Sequence, residues 1–179
     1  MSDFEDLDAI EKIAVSLFYG WGYNSYRLEN QLRADDLTIR AKVGWLLGQA
    51  RGHVEAAEGA FRRARLPAPT REKPLPDPEA VAGARMLEAL SHAIGALESQ
   101  IRAQPVPEAD RMTKRYRQEA ATLHRLLECD IALAGRAELL RRTLDDEDGA
   151  GIIAKAGDIQ AGLRAIEGAL RDRQAVLLV

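Results

Sequence analysis

Leu87, Leu90, Ile94, Leu97 and Ile101 recur in strict steps of three and four, and Ile152, Ala156, Ile159, Leu163, Ile166 and Leu170 repeat the pattern near the carboxyl end. At 3.6 residues per turn such positions fall on one narrow apolar stripe, the seam of a helical bundle or coiled coil. A seam of this kind is kept from water only by another helix with a seam of its own. Nowhere does a sustained alternation of β-branched residues between turn signals compete with it. The expected fold is therefore all-α: an elongated antiparallel up-down bundle of four long helices plus a short N-terminal helix.

The punctuation fits that count. Leu7, Ile10, Ala14 and Leu17 predict a first helix over residues 3–19, opened by acidic residues and broken by Gly20 and Gly22. Asn24 or Ser25 can cap a second helix reaching to about residue 66 along Leu28, Leu32, Ile39, Val43, Ala50, Val54, Ala57 and Phe61. Read as continuous it spans roughly 42 residues, or about 63 Å, so a kink near Asp35-Asp36 or at the following glycines is the alternative. Five of the seven prolines lie in 67–78, a stiff connection whose last residue, Pro78, can occupy the first helical turn behind an Asp77 cap. A third helix over 78–104 is stopped by Pro105 and Pro107. A fourth over 108–145 carries Met112, Tyr116, Leu123, Leu127, Ala134 and Leu144, and an acidic, glycine-containing turn precedes the fifth. With no other linker, residues 1–179 read as a single domain.

Composition narrows the class. The formal net charge of −3 argues against a surface wholly devoted to nucleic acid, without speaking to a local patch. Arg greatly outnumbers Lys and Ala is abundant, as a high-GC bacterial genome would give. One cysteine, Cys129, excludes an intramolecular disulfide framework and a Cys-rich metal site; set among leucines it reads as an inert buried thiol. The acidic start lacks the basic region of an export signal, and no apolar run approaches the roughly 20 residues of a membrane span. A cytoplasmic protein without a membrane partner is the expectation.

Five of the nine aromatic residues fall within positions 18–26, around Gly20 and Gly22. In an up-down bundle this turn meets the end of helix three, the start of helix four and the end of helix five. Tyr19, Trp21, Tyr23, Tyr26 and Arg27 then converge with Arg115, Tyr116 and Arg117, and with Arg102, Arg171 and Arg173. Arginines interleaved with aromatics can contact an acidic protein, a phosphate-bearing ligand or nucleic acid. The plainer reading makes the aromatics a staple holding helix one on the bundle.

Other groups of residues are weighed in the same way. Gly44, Gly48 and Gly52 cost about 1 kcal/mol each in a helix interior and suggest close approach of another helix, within the chain rather than from a second copy. Asp35 and Asp36 interrupt an apolar stripe; Asp36 can pair with Arg40 in a solvated segment, and the sharper reading is a carboxylate pair facing a cleft. His53, His92 and His124 flank their stripes, Glu88 and Glu128 lie four residues from the last two, and no metal-binding spacing appears. Nor does a nucleophile triad, a phosphate loop or a dinucleotide fingerprint.

Leu17-Phe18 followed by Gly22-Tyr23 resembles the first-helix ending of TetR-type repressors, a likeness of about ten residues. It implies a DNA-binding regulator built on the N-terminal helices, but no glycine turn and recognition helix follow, since residues 33–47 read as one helix. The function expected is a non-enzymatic interaction or accessory protein whose aromatic-basic end contacts a protein, a second copy of itself included. No cofactor, metal or catalytic residue is assigned. The alternatives are the DNA-binding regulator and a small-molecule or metal-dependent bundle enzyme using Asp35, Asp36 and the histidines.

Overall fold

The computed structural model describes residues 3–22, 32–104 and 120–178, and for 32–35, 120–123 and 177–178 it describes the helical backbone alone. A 3-10 turn, Asp3–Glu5, leads into α1 (Leu7–Trp21), followed by α2 (Leu32–Arg65), α3 (Pro78–Arg102), α4 (Ala120–Leu144), the short α5 (Gly149–Ala154) and α6 (Ala156–Leu178). Among the described residues there is no strand. The all-α class follows directly from the seams.

Side-chain pairings give the helix directions. Gly44 lies under Arg102, Glu55 accepts a hydrogen bond from Ser91 Oγ at 3.2 Å, and Phe61 packs on Gly83, so α2 and α3 are antiparallel. Arg173 meets Asp130 while Arg136 reaches the Ala165 carbonyl, so α4 and α6 are antiparallel too. Successive long helices thus alternate in direction. The main packed pairs are α2–α3, α4–α6 and α2–α4, with α1 laid on α4. The bundle is two antiparallel hairpins joined through α2 and α4, which run parallel.

The seams named by periodicity form the core. Leu87, Ile94, Leu97 and Ile101 of α3 face Ile39, Val43, Leu47 and Val54 of α2, and Ile159 and Ile166 of α6 join Leu133, Ala137 and Leu140 of α4; all are buried. Burial of one such aliphatic side chain contributes about 1.5–3 kcal/mol. Asp77 caps α3 by accepting from the Glu79 amide at 3.0 Å, with Pro78 in the first turn, as the sequence predicts.

Several boundaries differ from expectation. The first helix begins at Leu7, because Asp6 caps it by accepting from the Ala9 amide at 3.1 Å. It runs through Gly20 and stops at Gly22, whose φ of 71° is left-handed. Leu7 is 65% exposed while Phe4 takes the buried place expected of it, its ring seated over Gly162, where a Cβ would stand 2.5 Å away. α2 is one helix through Asp36 and all three glycines, 34 residues long or about 51 Å. Its expected start before Leu32, and that of helix four before Ala120, lie outside the described residues. The expected fifth helix is two: Asp148 caps α5 by accepting from the Gly151 amide at 2.8 Å, and the chain breaks at Lys155 before α6. The glycines expected to form that turn sit inside α5, and Gly149 leaves room for the Phe61 ring.

The glycine series also needs correction. A Cβ on Gly44 or Gly48 would stand 3.5 and 3.6 Å from the side chains of Arg102 and Glu98, an ion pair lying across α2, and a Cβ on Gly52 would meet nothing within 4 Å. No helix backbone approaches there. Close approach occurs instead at Gly135 of α4, where a Cβ would come within 2.5 Å of the Ile10 carbonyl oxygen of α1.

Candidate functional site

Among the described residues, the end of the bundle singled out by topology brings together charged side chains from distant parts of the chain. Arg173 of α6 reaches Asp36 of α2 at 2.8 Å and Asp130 of α4 at 2.6 Å. Asp36 also pairs with Arg40 one turn along, at 2.8 Å, and Arg40 donates to the Gln104 carbonyl just past α3 at 2.6 Å. All five residues are buried. Two carboxylates and two guanidiniums balance, which is the condition for burying charge at tolerable cost.

Only part of this network is legible in the sequence. The i,i+4 spacing predicts the Asp36–Arg40 pair, but in a solvated segment or an open cleft. Asp36 is buried, held by Arg40 of its own helix and Arg173 of α6, and does not face solvent. Arg173, expected on a surface patch, is fully enclosed. Asp130 was missed altogether, although it interrupts the stripe between Leu126 and Leu133 just as Asp36 interrupts that of α2, and Arg173 stands on the stripe one step past Leu170. Charges on three seams that meet at one level are a recognisable signal for a buried ion network.

Of the expected contact residues, Tyr19 points outward at 93% exposure. Trp21 is half-buried and packs on Phe18, ring centroids 5.9 Å apart, and both join the hydrophobic core. The aromatic segment therefore combines a staple, Phe18 with Trp21, and an exposed ring. Tyr23, Tyr26, Arg27, Arg115, Tyr116 and Arg117 lie outside the described residues. Arg102 and Arg171 are exposed, the former paired with Glu98 at 2.7 Å. Beside the ion network an open groove of 530 Å³ is lined by Gln100, Ala103, Gln104, Glu167, Leu170, Arg171 and Gln174. Glu167 and Arg171 offset one another there, so the lining does not select an anion.

His53 stands 3.5 Å from Asp145 and His124 3.2 Å from Glu128, while His92 is exposed and its neighbour Glu88 pairs with Arg62 instead. Among the described residues no group of three or more His, Cys, Asp or Glu could hold a metal ion, and no helix is long and apolar enough to cross a membrane. Cys129 is half-buried; burial, reinforced by Asp130, pushes its thiol above the ordinary range, so it is a poor nucleophile at neutral pH. Glu138 of α4 is buried, and burial by itself would raise its pKa. Hydrogen bonds from Arg141 and Arg142, each as short as 2.8 Å, outweigh that and hold it below the ordinary range. Arg136 donates to the Phe4 and Ala165 carbonyls, tying the N-terminal turn and α6 to α4.

Among the described residues, fold and site together define an all-helical bundle with a buried network of two carboxylates and two guanidiniums at one end. Compared with protein-family models, with curated proteins and with solved structures, the chain gives no match.

Proposed function

We propose that the chain is a non-catalytic interaction module that holds a partner protein on the outward face of α1. The observation that carries this reading is the short row Val15 and Tyr19, four residues apart on the outward face of α1 and exposed by 54% and 93%. Large apolar side chains in register on the water side of an amphipathic helix are the form in which helical surfaces offer anchors. The opposite face of α1, with Ile10, Ala14 and Phe18, already accounts for its attachment to the bundle. The buried carboxylates and guanidiniums are engaged with one another and have the character of scaffold rather than reactive groups.

The test uses paired variants. Val15→Asp with Tyr19→Ala should abolish capture of a protein partner from an extract of the native cell while leaving helical circular dichroism and melting temperature nearly unchanged. Capture undiminished by that double variant would refute the reading. Loss of fold together with capture would assign the row a structural role instead.

A further inference from the structure

α2 carries a second outward face, and its composition is unusual for exposed helix. Ala41, Trp45, Gln49, Gly52 and Ala56 follow one another at steps of four, four, three and four, all exposed, with no charge among them, and Trp45 is 55% exposed. Gly52 has open space above it, since a Cβ there would meet nothing within 4 Å. A large ring and a vacant glycine thus stand two turns apart on one stripe.

In an antiparallel pair of identical helices, residue numbers facing each other add to a constant, and a two-fold axis makes each contact occur twice. With the axis beside Gln49, Trp45 of one copy sits on Gly52 of the other and Ala41 on Ala56. Every large group then meets a small one. The charges flanking the stripe choose the same arrangement. Lys42 borders it on the α4 side and Arg102, lying over Gly44, on the α3 side, both near the amino half. Further along stand Asp145 on the α4 side, beside His53 and paired with Arg141 at 3.1 Å, and Glu55 on the α3 side, paired with Arg51 at 3.5 Å. A two-fold axis normal to the plane of the paired helices sets each side against its own kind with the levels exchanged. Lys42 thereby approaches Asp145 of the second copy, and Arg102 approaches Glu55. Parallel pairing would instead oppose Lys42 to Arg102 and Asp145 to Glu55.

From this complementarity of size and charge we infer that α2 is the seat of a homodimer, a second copy of the chain lying antiparallel on the Ala41–Ala56 stripe. The inference rests on the reading of the chain as an interaction module and names one of its partners; the α1 face is left free for another. Tryptophan in a desolvated seat is the kind of group that carries such an interface, and unlike charges at its rim fix the register.

Sedimentation equilibrium tests this on the full chain. The mass should rise with concentration from 19.7 kDa toward twice that value. Glu55→Arg and Arg102→Glu, each placing like charges twice across the interface, should weaken association about tenfold or more. Mixing the two variants should restore it to within about threefold of wild type, because only the mixed dimer re-pairs unlike charges at both contacts. Each chain is checked for helical circular dichroism. Gly52→Glu, a substitution into open space, gives a second route to the monomer if either charge variant folds poorly. A wild-type chain that stays monomeric, or a mixture no tighter than its components, would overturn the inference. Retained partner capture by the α1 face in that event would leave the proposed function standing.

Discussion

The inner and outer faces of α2 invert the usual distribution of residues. Inside, Asp36 and Arg40 are buried; outside, Leu37 and Trp45 stand exposed at 44% and 55%. The inner charges tolerate burial because Arg173 and Asp130 complete a neutral network at hydrogen-bond distances. The outer apolar groups have no corresponding partner among the described residues. One departure from amphipathicity is closed within the fold, and the other is open to a neighbour. The first should therefore govern stability and the second association.

The largest expected effect comes from breaking the inner network. Arg173→Met removes the guanidinium that Asp36 and Asp130 share, and should cost about 3–5 kcal/mol, a fall in melting temperature on the order of ten degrees. Combining it with Asp130→Leu restores neutrality. The double variant should then be more stable than Arg173→Met alone, which thermal melts of the pair will check. If the two losses simply added, the carboxylate and guanidinium would not be acting as a unit.

Next in size is the α1–α4 crossing. Gly135→Ala drives a methyl against the Ile10 carbonyl, which is backbone and cannot turn aside, so about 1–3 kcal/mol should be lost. Limited proteolysis should then release the segment before α2 first. Smaller again is the Glu138 cluster. Its folded pKa is depressed, so its stabilising contribution is present above the ordinary glutamate range and is lost as pH falls through the folded value. Glu138→Gln should be less stable than wild type by about 1 kcal/mol at pH 7, with the gap closing in urea titrations as pH falls below the ordinary glutamate range. The smallest effect has the opposite sign. Gly52→Ala enters open space in a helix interior and should stabilise the dilute monomer by up to about 1 kcal/mol.

The same contrast explains what could be read in advance. Aliphatic seams are periodic, so Leu87 to Ile101 and Ile159 to Leu170 specify their helices and buried faces from sequence alone. Asp77-Pro78 does likewise for a boundary. Asp130 and Arg173 were harder because each makes sense only once three helices are aligned at one level, information carried by no local pattern. The glycines of α2 misled for a related reason: spacing reveals that they share a helix, but not that flexible side chains rather than backbone lie over them. Phe4 took the place expected of Leu7 because a gap over Gly162, on a distant helix, admits a ring.

The division between the two faces of α2 comes down to Trp45. Its replacement by Lys should leave the melting temperature of the dilute protein within about two degrees of wild type, less than a loss of 1 kcal/mol would produce in a chain of this size. A fall comparable with that of Arg173→Met would contradict the account, because it would place Trp45 in the support of the fold rather than on a surface kept for a partner.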